Sequence, residues 1–459
     1  MTKLIGIIAH LIIMILLISQ TAYGQQKAAI KGFEFTETIE STYLNETRTL
    51  IVHLPKNYYE SKDATYPVLY VLDGNHHHDN TLFIHNFLSG KKHIPEAILV
   101  FIPNTGQRKR DYNTYFRDTE IVNEGADHFL SFIEKEAIPQ IENKYRNSNY
   151  RMLSGHSNGG LFVIHSLIKN PDLFGARFAF SASSHHIPKQ REILKEFLKD
   201  NQDLNGYFYM NVGGSEFYKQ TDAFAEVEQI FEDYAPKGMR YDFDFHDADG
   251  HQSTAFIGQH MAFKRLYAPL RLNQGAYERM SYDDVITHFD NISHELGEEI
   301  KPRESELINM GNYFVNYEPN ITVVNNLVAL SKVYYPESNE IEGNFLFYQQ
   351  WLAYGVNNEF KYTAQLKPDE DVLNSMGYKY LSKQQYTEAL YLLKLATQLY
   401  PENSNPYDSY GEGLEQKGEL KTALKMYKKA YTIASAQQEE NILIYEKNID
   451  RVKGKLKIN

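Results

Sequence analysis

The chain has 459 residues, 42% hydrophobic and 23% charged, the balance of a globular protein with two or three domains. Its net charge of −12 argues against nucleic acid or an anionic membrane surface as partner, because a phosphate-binding face needs clustered Lys and Arg. It has no cysteine, so neither a disulfide nor a lipid-bearing N-terminal Cys is available.

In chain order, the first element reads as an export signal over residues 1–24. Lys3 supplies the positive start, Leu4 to Ser19 the apolar run, and Ala22-Tyr23-Gly24 a small-x-small cleavage site before Gln25. The run falls short of the ~20 residues that span a bilayer. The expectation is a periplasmic or secreted protein with no stable membrane insertion once the signal is removed.

Residues 25–270 alternate short β-branched and aromatic runs with helical patterns, which predicts an α/β sandwich around a mostly parallel sheet. The predicted strands are Arg48–Leu54, Pro67–Leu72, Ala97–Pro103, Tyr150–Ser154, Ala176–Ser181, Gly206–Val212 and Arg240–His246. Runs such as Val68–Leu72 and Ile98–Ile102 are apolar throughout, as central strands covered on both faces must be. Helices are predicted over Ala126–Tyr145, Gly159–Lys169, Gln190–Lys199, Ala223–Tyr234 and Thr254–Tyr267.

After about residue 270 only helical periodicity remains. Leu373, Met376, Gly377, Tyr380, Ala389, Leu393, Ala396 and Pro401 form one pattern, and Tyr407, Tyr410, Gly411, Leu414, Ala423, Tyr427 and Ala430 follow it 34 residues later. The segment 366–459 therefore resembles tandem tetratricopeptide repeats, with Glu439–Lys455 as a capping helix. Within the connector 271–365, Leu307, Met310, Gly311 and Phe314, then Leu327, Ser331 and Tyr335-Pro336, suggest a degenerate copy. Such a region offers a groove for a protein partner.

Gly155-His156-Ser157-Asn158-Gly159 is a G-x-S-x-G motif between a predicted strand and a predicted helix. A sharp turn there strains Ser157, needs small flanking residues, and puts the hydroxyl near a helix N-terminus that favours developing negative charge. A hydroxyl needs a base. His251, in the loop after the last strand of the domain, is the candidate, whereas His246 belongs to that strand. The acid should follow the preceding strand. Glu216 is the first candidate and Asp222, which could instead cap a helix, the second. The amides of Asn158 and of Asn75 (or Gly74) are the expected oxyanion donors. His76, His77 and His78 read as a solvated or substrate-facing loop, since three adjacent His lack the spacing of metal ligands.

Tyr66–Gly74, Arg110-Asp111-Tyr112, Ser154–Gly160, Gly213–Glu216 and Asp249–Ser253 together resemble the esterase branch of the α/β-hydrolases that holds esterase D, enterochelin esterases and feruloyl or acetyl-xylan esterases. The resemblance implies carboxylic-ester hydrolysis through an acyl-enzyme, with no metal or organic cofactor. The sequence departs from that branch at Ala182-Ser183-Ser184-His185-His186, where relatives carry aromatic residues, so His185 and His186 are expected to line the substrate pocket. A siderophore ester and an acylated polysaccharide both fit. An acyltransferase using the same triad, and a non-catalytic binding module built on the repeats, are the alternative readings.

Overall fold

The computed structural model describes residues 33–60, 62–114, 124–296, 299–357 and 366–458. The expected signal segment lies outside them. Contacts divide the chain into two compact units, one of residues up to Pro269 with Ile292–Glu299, the other of Leu270–Asn291 with Ile300–Asn459.

The first unit is built on eight strands: β1 (Glu34–Ser41), β2 (Glu46–His53), β3 (Tyr66–Leu72), β4 (Ile98–Ile102), β5 (Asn147–His156), β6 (Ala176–Phe180), β7 (Asn205–Gly213) and β8 (Gly238–His246). They form one sheet in the order β1-β2-β4-β3-β5-β6-β7-β8. β1 pairs antiparallel with β2 and β2 with β4, and every pairing from β4 to β8 is parallel. All residues of β3 and β4 are buried, as strands covered by helices on both faces require. This is the α/β-hydrolase sandwich expected from the sequence.

Its helices are α1 (Gly74–Gly90), α2 (Arg108–Tyr112), α3 (Glu124–Phe132), α4 (Ile138–Lys144), α5 (Asn158–Lys169), α6 (Pro188–Asp200), α7 (Tyr218–Tyr234) and α8 (Thr254–Leu266). Val68, Tyr70 and Leu72 enter one core with Phe129 of α3 and Phe162 of α5. The His85 ring of α1 and the Phe263 ring of α8 meet 6.1 Å apart.

Three sequence expectations change. The helix expected over Ala126–Tyr145 is interrupted by a π turn at Ile133–Ala137, before Pro139. A further strand, β1, was not expected; its alternating pattern EFTETIES carries few large apolar residues. The His76–His78 loop is the first turn of α1, a helix that the run of histidines and asparagines disguises.

The second unit is helical: α9 (Gln274–Arg279), α10 (Tyr282–Leu296, whose last residues belong to the first unit), α11 (Glu304–Asn316), α12 (Ile321–Tyr334), α13 (Asn339–Tyr354), α14 (Glu370–Ser382), α15 (Tyr386–Leu399), α16 (Asn405–Gln416), α17 (Leu420–Gln437) and α18 (Ile442–Ile458). The two segments in 34-residue register are the hairpins α14/α15 and α16/α17. Gly377 lies against Leu393, and Gly411 against Tyr427. A clamp recurs in α11/α12. There the Tyr335 hydroxyl donates to Pro302 O (2.7 Å) beneath Lys301, as the Tyr400 hydroxyl donates to Pro368 O (2.9 Å) beneath Lys367. Gly311, however, faces Tyr348 of α13, so this copy closes with a third helix.

Candidate active site

Parallel strands deliver their C-terminal loops to one edge of a sheet, where open α/β sheets bind ligands. Asp73 follows β3, Ser157 β5, Ser181 and Ser183 β6, Glu216 β7, and His251 β8.

Ser157 sits at the strand-to-helix turn with φ 60° and ψ −117°, a conformation that costs a non-glycine residue free energy and persists only when its surroundings fix it. Here they do. The Ser157 amide donates to Phe180 O (2.9 Å), and the Ser183 amide donates to Ser157 O (3.1 Å). A Cβ at Gly155 would come within 2.5 Å of Gly159 O, so only glycine lets the turn close. Ser157 Oγ lies 3.0 Å from the Oγ of buried Ser183.

His251 Nδ1 is 2.6 Å from Glu216 Oε2. The other carboxylate oxygen accepts from Ser181 Oγ (2.6 Å) and the Gly213 amide (3.0 Å). Burial pushes the Glu216 carboxyl up, but these three donors together bring its pKa below the ordinary value, so it is charged at neutral pH. Such a carboxylate fixes the His251 proton on Nδ1 and leaves Nε2 able to accept one. Asp222, the other candidate acid, is exposed within the first turns of α7.

The backbone of the His251 loop is also held. His251 O lies 2.6 Å from His156 Nε2 and accepts from Thr254 Oγ1 (2.9 Å). A carbonyl can only accept, so His156 carries its proton on Nε2. Burial, then the neighbouring His251 and His77, depress the His156 pKa to about 4.

A cleft of about 410 Å³ contains both Ser157 and His251. Asp73, His76, His77, Asn80 and Arg108 form part of its wall. Asp73 is left-handed (φ 51°), and a Cβ at the next residue, Gly74, would strike the β4 backbone. Arg108 Nε reaches both Asp73 oxygens (3.1 and 3.0 Å), and its Nη2 donates to His156 O (2.9 Å). The Tyr112 hydroxyl accepts the Asp73 amide (3.1 Å), while Asp111 is buried between Arg48 and Arg110.

The expected oxyanion donors open two helices, Asn158 at the start of α5 and Asn75 in the first turn of α1; neither amide has an acceptor among the described residues. Asn75 is exposed, its side chain accepting the Asn104 amide, and it is not among the residues lining the cleft. His185 and His186 also lie outside the cleft wall. They form the turn after β6, with His185 bonded to Gln220 and packed edge-on against Phe217. Sequence reasoning missed Arg108, Ser183 and the holding role of His156. Arg108 stands two residues before the Arg110-Asp111-Tyr112 motif, in a run of three basic residues where nothing marks which one turns inward.

Residues 41–259 match the model of the Esterase family, described as "Putative esterase". The chain is 27% identical over 247 residues to Ferri-bacillibactin esterase BesA of Bacillus subtilis (strain 168), covering 48% of this chain and 85% of that protein. Among solved structures, it is similar to an IroE-like serine hydrolase from Shewanella oneidensis (TM-score 0.54, 26% identity, 66% of this chain and 99% of that one). A further likeness, to an uncharacterised protein from Capnocytophaga ochracea, extends over 92% of this chain and 99% of the other at 14% identity and TM-score 0.53, and bears on fold alone. Together with the fold, these likenesses mark the protein as an esterase of the α/β-hydrolase fold, a carboxylic ester hydrolase.

Proposed function

We propose that the protein is an exported serine esterase that cleaves a siderophore ester through an acyl-enzyme. The observation that carries the catalytic part is the 2.6 Å Glu216–His251 contact in the loops around the cleft that Ser157 lines. Ser157 Oγ attacks the ester carbonyl as His251 Nε2 takes its proton, and Glu216 stabilises the imidazolium that results. The amides of Asn158 and of Asn75 (or Gly74) hold the tetrahedral oxyanion. His251 then returns the proton to the leaving alcohol, and a water activated by the same imidazole releases the acid.

The substrate reading rests on the relative named for ferri-bacillibactin, and export rests on residues 1–24. A fluorophosphonate should label the purified chain at Ser157. In an ester panel the ferri-siderophore should be hydrolysed with a higher kcat/KM than acetylated xylan or a short-chain ester. Labelling elsewhere removes the nucleophile assignment, and preference for the polysaccharide moves the substrate to acylated glycans. N-terminal sequencing of the periplasmic or secreted protein should begin at Gln25. Recovery of the uncleaved chain in the cytoplasm would remove the export reading.

A further inference from the structure

Helix α1 buries Thr81, Ile84, His85 and Leu88. An amphipathic helix should then present polar residues on its opposite face. One stripe of that side does so only in its first turns. At 100° per residue His76, Asn80, Phe83 and Phe87 fall in one narrow stripe. His76 and Asn80 line the cleft. Phe83 and Phe87 continue that stripe as exposed rings, 64% and 52% accessible. Their planes are nearly parallel (17°) with centroids 6.4 Å apart, so the two rings form one exposed aromatic pair. On the neighbouring α8, Ala255 lines the cleft and the next residue, Phe256, is 43% exposed.

We infer that the exposed ring pair Phe83–Phe87 is a binding subsite for an aromatic group carried by the ester substrate, remote from the scissile bond. This inference rests on the cleft of Ser157 and His251 being the catalytic one. The argument for this occupant is continuity. The polar head of the stripe lines the cleft, and at 1.5 Å rise per residue Phe83 and Phe87 lie about 5 and 10 Å farther along the same helix face than Asn80. A substrate arm a few bonds long covers that distance. Two exposed rings on a helix are otherwise a solubility cost, while a flat aryl group stacked on them gains both apolar burial and ring contact. Contacts so far from the reacting carbonyl supply binding energy that helps hold the ester in place.

The test uses the full chain and the methyl esters of N-acetylglycine, N-benzoylglycine and N-benzoylglycylglycine, which move one ring progressively away from the ester. In the wild type, kcat/KM should rise about fivefold to tenfold from the acetyl to the better benzoyl ester, the size of one or two ring contacts. The double variant F83Q/F87Q keeps good helix formers on an exposed face, and the benzoyl-to-acetyl ratio should fall to within twofold of one. A ratio that survives the substitutions overturns the subsite, as does a wild-type series with no preference. Should the ratio survive while F83Q/F87Q elutes from gel filtration as a smaller species, the rings pair two copies of the chain and the subsite is again overturned. Fluorophosphonate labelling of both proteins reports the underlying reading separately. An unlabelled wild type removes the catalytic cleft and the subsite with it, whereas normal labelling with unchanged selectivity removes only the subsite.

Discussion

The loops around the cleft and the helical hairpins use glycine for close approach in different ways. In the hydrolase unit a Cβ at Gly155 would meet the carbonyl of Gly159 at 2.5 Å, and one at Gly214 would meet the Asp247 backbone at 2.7 Å. In the helical hairpins the nearest atoms are side chains, Leu393 for Gly377, Tyr427 for Gly411 and Tyr348 for Gly311, although Gly343 of α13 meets the Lys367 backbone at 2.4 Å. Backbone already fixed by a sheet cannot move aside, whereas a side chain can change rotamer. The loops around the cleft are thus positioned by main chain, and the hairpins by side-chain packing. The first arrangement fixes atoms closely and tolerates little. The second tolerates substitution, because a rotamer change can relieve the contact.

The largest break should come at the chemistry. Ser157→Ala should remove essentially all ester hydrolysis while circular dichroism and melting stay near native, since the hydroxyl bonds only the Ser183 hydroxyl among the described residues. His251→Ala should be comparably severe, because nucleophile and base act as a unit. Near-wild-type turnover by a folded Ser157→Ala protein would transfer the nucleophile elsewhere. Glu216→Gln should come next, lowering kcat by up to the order of 10⁴, the effect of losing a triad acid. Asp222→Asn, on the exposed face of α7, should stay within a factor of two or three. The reverse ranking would give Asp222 the role of the acid.

Gly155→Ala probes the backbone side of the comparison directly. The new methyl cannot be accommodated without moving Gly159, the second residue of α5, and Leu72 at 3.0 Å closes the other side. Expected are a loss of soluble protein, or a folded protein whose fluorophosphonate labelling is slowed at least a hundredfold. Native labelling rates would mean that the elbow does not need its main-chain contact.

Much of this site was legible from sequence because strand-to-helix turns are marked by small residues. The strands were legible because parallel central strands are apolar throughout. Less visible was anything that depends on which of several similar side chains turns inward. Arg108, Lys109 and Arg110 are alike as text, yet Arg108 binds Asp73 and Arg110 binds Glu46 and Asp111. The sequence His76-His77-His78-Asp79-Asn80 has no helix-forming composition, and its helicity comes from packing Thr81, Ile84, His85 and Leu88 against the sheet. His185 and His186, expected in the substrate pocket, stay out of the wall of the Ser157 cleft for a similar reason. The turn after β6 directs Ser183 to Ser157 and His185 to Gln220.

Acid should separate the two units. His53, His85 and His156 in the hydrolase unit are buried, and burial depresses each pKa to about 4. Their unfolded value is near ~6.5. Between those values the unfolded chain binds more protons, so the stability these groups contribute is complete above about pH 6.5 and is lost as pH falls towards 4. In the helical unit, burial raises the Asp408 pKa to about 6. Its sign is opposite: the folded state holds the extra proton, and stability from this group falls as pH rises through 6. The sole tryptophan, Trp351, is buried in the helical unit and donates to the Tyr380 hydroxyl at 3.1 Å. Its fluorescence therefore reports that unit, while fluorophosphonate labelling reports the other. Lowering the pH from 7 to 5 should move the urea midpoint of labelling down and leave the Trp351 midpoint unchanged or higher. A parallel fall of both midpoints would show that the units do not respond independently.

The smallest effect should come from Gly411→Ala. Alanine in a helix interior is favoured over glycine by roughly 1 kcal/mol. Against that stands the new methyl, 3.0 Å from the Tyr427 ring. The ring is held at its far end, where the Tyr427 hydroxyl donates to Glu415 (2.7 Å) and lies 3.2 Å from Arg451. It can therefore tilt about that anchor but cannot slide away, and a few tenths of an ångström of tilt relieve the contact. The propensity gain and the repacking cost should nearly cancel, leaving the Trp351 urea midpoint changed by no more than the equivalent of about 1 kcal/mol. Gly377→Ala, with its methyl 2.6 Å from the branched end of Leu393, should be the more damaging of the two. If Gly411→Ala instead destabilised the chain as much as Gly155→Ala, the hairpins would be as rigid as the loops around the cleft. The contrast between main-chain and side-chain positioning would then lose its basis.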